Sequence, residues 1–115
     1  MIKPRVFIPH VPMKFDPNVG MVPKFDTLQD ASDYGELIVL IDAKMAIAGR
    51  PECLAKLKHG LKNFSPEDFF LPMGSHYFMM MSAIIIASKV DDIQILEWST
   101  RERCYKVTRT SLNGM

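Results

Sequence analysis

The stretch "SPEDFFLPMGSHYFMMMSAIIIASK", Ser65 to Lys89, decides the fold. Ser65, Pro66, Glu67 and Asp68 have the order of a helical first turn: a capping hydroxyl, a proline at the first position, acids behind it. "FFLP" (Phe69 to Pro72) then reads as a short buried strand. Gly74 turns the chain, and Ser75 caps a helix predicted to run to about Lys89. That helix is apolar nearly all round, with Phe78, Met81, Ile84 and Ile85 on one side and Met79 and Ile86 close to the other. A helix of this kind is covered on more than one face, by a second helix or by a partner subunit. Its three consecutive methionines suit either a deformable core or a Met-rich groove for a partner.

Toward the N-terminus, "RPECLAKLKHGLKNF" (Arg50 to Phe64) is a helix with Pro51 at its first turn and Glu52 at the positive dipole end. Leu54, Leu57 and Leu61 form its apolar stripe, and Gly60 weakens the last turn by about 1 kcal/mol relative to Ala, which marks fraying. "ELIVLID" (Glu36 to Asp42) is a continuous apolar run, expected to be a central strand buried on both faces. "AKMAIAG" (Ala43 to Gly49) fits a short strand or a loop, and "TLQDASDYG" (Thr27 to Gly35) one or two helical turns. "RVFI" (Arg5 to Ile8) is a strand bounded by prolines. Toward the C-terminus, "DIQILEW" and "RCYKVTR" form a hairpin in which Trp98 and Tyr105 are expected to pack together. The sum is an α+β fold: a small mixed sheet, two main helices, a C-terminal β-hairpin and an extended or hairpin-like N-terminal arm. One domain is expected over residues 1–115, with the arm at 1–26, a compact core at 27–110 and a frayed tail at 111–115.

The arm contains a doubled phrase, "VPMKFDPNVGMVPKFD" (Val11 to Asp26). Asp16, Pro17, Asn18 and Gly20 are turn residues, so the two copies fold back on each other about Asn18. Phe15 then faces Met21, Met13 faces Pro23 and Val11 faces Phe25, while Pro12, Lys14, Val22 and Lys24 share the other face. Pro12 and Pro23 cannot donate to a ladder, which makes this an edge ribbon. Its apolar face must lie on the domain or on a partner.

Composition narrows function by exclusion. A formal net charge of +1 provides no global field to draw in nucleic acid or anionic membrane. "YFMMMSAIIIA" is too short for the roughly 20 residues of a membrane span, and no signal peptide is visible, so a cytoplasmic protein is expected. Cys53 and Cys104 read as two reduced thiols, with a bridge left open. His10, His59 and His76 are scattered and no Cys-x-x-Cys is present, so no metal and no cofactor are expected. Gly74-Ser75 lacks the lysine and second glycine of a phosphate loop, and Ser75 beside His76 is no dyad, because consecutive helical residues diverge. The acidic pairs Glu67-Asp68 and Asp91-Asp92 show no convergence across a cleft. No enzyme is expected.

Two surfaces carry binding chemistry. In the hairpin, Arg101, Arg103, Lys106 and Arg109 alternate with Trp98 and Tyr105, a composition shared by protein hot spots and single-strand stacking platforms. Along the first helix, Arg50, Lys56, Lys58 and Lys62 form a basic face.

The chain also resembles a group of small uncharacterised proteins encoded by tailed phages, marine ones in particular. The resemblance rests on Ala31, Tyr34, Gly35, Glu36 and Leu37, on Asn63 to Phe69, on Gly74, and on Leu96, Trp98, Arg101, Arg103 and Tyr105. It departs at Ser75-His76 and at Ser99-Thr100. It implies a phage origin and action in the infected host's cytoplasm, and it brings no activity and no functional residues. The expected function is a non-enzymatic protein-binding accessory module acting on a host or phage protein. Its candidate contact residues are Trp98, Arg101, Arg103, Tyr105, Phe15, Met21 and Phe25. The alternatives are a nucleic-acid-binding protein using Arg50, Lys56, Lys58, Lys62, Lys106 and Arg109, and a minor virion component. A homodimer is compatible with each.

Overall fold

Val6, Phe7 and Ile8 are at most 2% exposed, and this N-terminal strand, not "ELIVLID", is the centre of the sheet. The computed structural model describes residues 3–24 and 26–112. Its main sheet has the order β4-β1-β5-β6-β7, with β1 Arg5–His10, β4 Glu36–Ile41, β5 Phe69–Phe70, β6 Asp92–Ser99 and β7 Cys104–Ser111. The first four strands in that order run parallel, and β7 closes the sheet as an antiparallel hairpin with β6. A separate antiparallel ribbon joins β2 (Met13–Asp16) to β3 (Gly20–Pro23). The fold is α+β with a mixed sheet and a C-terminal hairpin.

"ELIVLID" was expected to be central, and β4 is an edge. Val39 is 44% exposed, and only Leu40 and Ile41 are buried. A continuous apolar run indicates cover on two faces, but it says nothing about pairing on two sides. β1 runs past "RVFI" through Pro9 to His10. A proline is tolerated in this central strand because it lies beyond the last β5 pair, Phe7 with Phe70, where β1 has a neighbour only on the β4 side.

Alternation along the strands builds two cores. Phe7, Phe70 and Ile93 face α1 (Arg50–Gly60) and α2 (His76–Ala87), which pack beside each other on one face of the sheet. Val6, Ile8, Leu71, Leu96 and Tyr105 face the other way, where the 3-10 helix Asp26–Asp33 covers them with Leu28 and Ala31. "AKMAIAG" supplies neither strand nor open loop but a 3-10 turn, Met45–Ile47. On α1 the buried positions are Cys53 and Leu57, followed by Leu61 and Phe64, while Leu54 is only half-buried. Gly60 does not mark fraying: a Cβ there would stand 2.5 Å from Leu40 Cδ2, so its bare Cα lets the helix close on β4. On α2 the buried line is Phe78, Ser82 and Ile86, four apart. Ile84, expected on the covered side, is 59% exposed, and Met80 beside it is 60% exposed.

The N-terminal ends of the strands are pinned by a buried carboxylate. Asp68, 1% exposed, accepts from the Arg5 backbone N–H (3.0 Å) and guanidinium (2.9 Å) and from the N–H and hydroxyl of Ser65. The acid of "SPED" therefore closes its own turn and ties β5 to β1. Its ionic partner and five hydrogen bonds, the one from Arg5 Nε at 3.3 Å included, answer the cost of taking a charge out of water. Gln94 works similarly, donating to the Glu67 carbonyl (3.2 Å) and accepting from Arg109 (2.7 Å). Of the expected frayed tail, Ser111 lies in β7 and the Leu112 N–H donates to the Asp91 carbonyl; residues 113–115 fall outside the described residues. Cys53 and Cys104 are both free, the first buried and the second exposed. No helix among the described residues is long and apolar enough to cross a membrane.

Candidate functional site

Parallel strands leave a crevice where adjacent connections depart in opposite directions. β1 and β5 are neighbours in the sheet; β1 leads to β4 on one side, and β5 leads through α2 to β6 on the other. A cleft of about 620 Å³ opens at their carboxyl ends. Its floor is Leu71 and Leu96; its walls include Pro12, Met73, Met79 and Trp98.

Local sequence explains each wall. Gly74 takes φ +107° and brings the chain against His10, where a Cβ would sit 2.9 Å from the His10 carbonyl oxygen. The chain then enters α2 through Ser75, whose hydroxyl accepts from the Phe78 N–H. This places Met79 over the cleft. Trp98 stands directly opposite Tyr105 across the hairpin, their rings 5.0 Å apart and edge-on, as the alternation predicted. The Tyr34 hydroxyl donates to the Tyr105 carbonyl (2.8 Å), fixing β7 to the end of the 3-10 helix. Tyr105 is buried and Trp98 half-buried, so the pair presents one rigid indole.

The ribbon makes the second feature. Phe15 pairs with Met21 and Met13 with Pro23, and Gly20 takes φ +88° at the turn, where the Asp16 carboxylate accepts from the Asn18 N–H. The proposed Val11–Phe25 pair falls on Phe25, outside the described residues. Lys14 and Val22, on the opposite face, line a hollow with Leu28, Gln29 and Leu37 of the body. The face turned to the domain is therefore the mixed one. Phe15 (71% exposed), Val19 (71%) and Met21 (59%) point away from it.

The basic residues do not gather. Arg50 stacks over the Tyr77 ring at 4.2 Å, Arg109 bonds Gln94, and Lys106 bonds Glu102 at 2.8 Å. The Glu102 carboxylate, by hydrogen bond and by charge, raises the Lys106 ammonium above its ordinary value. Lys56, Lys58 and Lys62 are exposed on or just beyond α1, which packs toward the β4 edge, while Lys106 and Arg109 lie on β7 at the opposite edge. Arg101 and Arg103 are exposed at the hairpin tip, Arg103 with φ 54°. Of the expected contact residues that the structure describes, only Trp98 and Tyr105 line this cleft. Lys24, Leu71, Met73 and Met79 were not among those expected, because a crevice of this kind follows from strand order and no local pattern announces it. Among the described residues, no group of three or more His, Cys, Asp or Glu gathers to hold a metal ion.

These features define a small open-sheet α+β domain with its crevice at the carboxyl ends of parallel strands. The chain belongs to the family of phage Pam3 gp32-like proteins, whose model matches residues 4–112. The phage origin inferred from the motifs is thus shown. No curated protein and no solved structure was found to match the chain.

Proposed function

We propose that this phage protein is a non-enzymatic protein-binding accessory module acting on a host protein, and that it docks through the β2–β3 ribbon. One observation carries the reading: the ribbon's apolar face, with Phe15 and Met21, is turned away from the protein's own core, and Val19 at its turn is exposed as well. Burying Phe15 and Met21 on a partner would each contribute about 1.5–3 kcal/mol. The turn built on Asp16, Asn18 and Gly20 holds both side chains on one face before binding, which lowers the ordering cost.

The test is capture from host lysate by the full chain and by a Phe15→Asp/Met21→Asp double variant. The expected result is a partner held by the wild type and lost with the variant, whose circular dichroism stays unchanged. A folded wild-type bait that captures nothing, or captures the same protein with and without the substitutions, overturns the reading.

A further inference from the structure

The crevice at the carboxyl ends of β1, β5 and β6 is separate from the ribbon face, and its chemistry is that of a small-molecule site. We propose that it binds a planar aromatic molecule carrying one negatively charged group. Five observations support this. The crevice lies at the topological switch point of the sheet, where open sheets of parallel strands bind ligands. Its volume, about 620 Å³, falls within the usual range for a small ligand. Its lining is mostly apolar and includes Met73 and Met79, which adapt to a flat ring.

Trp98 supplies the stacking surface and is preorganised for it. Its ring is braced edge-on by Tyr105, whose main chain is held in turn by the Tyr34 hydroxyl. The charge argument uses Lys24 and Glu97, the two charged residues of the lining. Strand alternation places the Glu97 side chain on the sheet face opposite Leu96 and Trp98, and its carboxylate there accepts from the Thr108 hydroxyl at 2.7 Å. Lys24 remains at the mouth, its backbone N–H anchored on the Pro12 carbonyl at 2.7 Å and its side chain exposed. An ammonium at the mouth of an apolar slot selects a ring with an anionic tail.

Trp98 is the single tryptophan of the chain, so its fluorescence reads this site alone. The full chain is titrated with AMP and with phenylacetate, and with their uncharged counterparts adenosine and phenylacetamide. The expected result is a saturable change in tryptophan emission with at least one anionic probe, and binding at least about threefold weaker for its uncharged counterpart. AMP alone identifies a nucleotide, phenylacetate alone an aromatic acid, and both together the shared chemistry. Lys24→Met is expected to remove the difference between charged and uncharged probes. Methyl NMR of the methionines locates the site: Met73 and Met79 shift, and Met80, on the exposed side of α2, does not. No saturable change up to about 10 mM probe, the range of very weak association, overturns the proposal. So does equal binding of charged and uncharged probes, or saturation without movement of Met73 and Met79. These outcomes are independent of partner capture by Phe15 and Met21.

Discussion

Two β-hairpins among the described residues use the same device in opposite ways. In β6–β7, Trp98 and Tyr105 stand opposite each other on a face that also carries Leu96 and is packed into the core. In β2–β3, Phe15 and Met21 stand opposite each other on a face that the rest of the chain leaves open. Both are antiparallel and both carry a large apolar cross-strand pair. The difference is the other face. β6 is paired on both sides and buries Ile93, Gln94 and Leu96, whereas the ribbon forms a sheet of its own whose Lys14 and Val22 line a hollow with the body. Cross-strand pairing holds a hairpin together; what lies beneath it determines whether its apolar residues stabilise the fold or remain free for something else.

The largest expected effect contrasts the two faces directly. Leu96→Ala removes a side chain with no exposure from beneath the C-terminal hairpin and should cost about 3 kcal/mol or more in denaturant unfolding. Phe15→Ala, at 71% exposure, should change stability by less than about 0.5 kcal/mol. A cost above about 1.5 kcal/mol for Phe15→Ala would break the comparison, since a residue that expensive is buried in solution by a second copy or by the body itself.

Next come Gly20 and Gly74, the two glycines with positive φ among the described residues. Gly20→Ala meets no atom within 4 Å and should cost only the backbone strain, about 1–2 kcal/mol, felt locally in the ribbon. Gly74→Ala adds to that strain a collision with the His10 backbone and should cost more, with global unfolding at lower denaturant. Amide exchange separates the two: faster exchange in β2–β3 alone for Gly20→Ala, and throughout the sheet for Gly74→Ala. Equal and global effects would show that the ribbon is part of the core.

How much of this was legible follows from the range of the interactions. The ribbon's register was readable because turn residues and pairing residues lie within one short stretch, from Met13 to Pro23. The Trp98–Tyr105 pair was readable for the same reason. Sheet order was not, because β4 looks more continuously apolar than β1 and the proline in β1 argues against a central place. Only the brevity of β5 leaves room for Pro9. Asp68 reads locally as a capping acid, but its main partner, Arg5, is 63 residues away. The crevice depends on that same long-range strand order, so its walls, from Pro12 to Trp98, share no motif.

A finer comparison weighs the two cross-strand pairs themselves. A double-mutant cycle on Trp98 and Tyr105, truncating each to Ala, should give a coupling of about 0.5–1.5 kcal/mol, reflecting the edge-on aromatic contact in a water-poor setting. The cycle on Phe15 and Met21 should give a smaller value, near the lower end of about 0.2–1 kcal/mol for exposed cross-strand pairs. Couplings of equal size would mean that burial adds nothing to the pairing, and the contrast between the hairpins would reduce to area alone.

The smallest effect belongs to the hairpin tips. In β2–β3 the tip is held by the Asp16 carboxylate on a backbone N–H; in β6–β7 it carries the Lys106–Glu102 ion pair. Glu102 raises the Lys106 ammonium above its ordinary value of 10.5, first by hydrogen bonding and then by charge. A raised folded value means that the pair's stabilisation is fully present below the unfolded lysine value and is lost as pH rises through the higher folded one. Both side chains are about half exposed, at 53% and 52%, so solvent and salt screen the pair. Glu102→Gln should therefore leave the unfolding midpoint nearly unchanged at neutral pH, and the small difference should vanish in molar salt and as pH rises through the raised folded value, above the lysine's ordinary 10.5. A difference that survives both treatments would place the pair in a dry setting, and would mean that the tip of the C-terminal hairpin is covered in solution just as its base is.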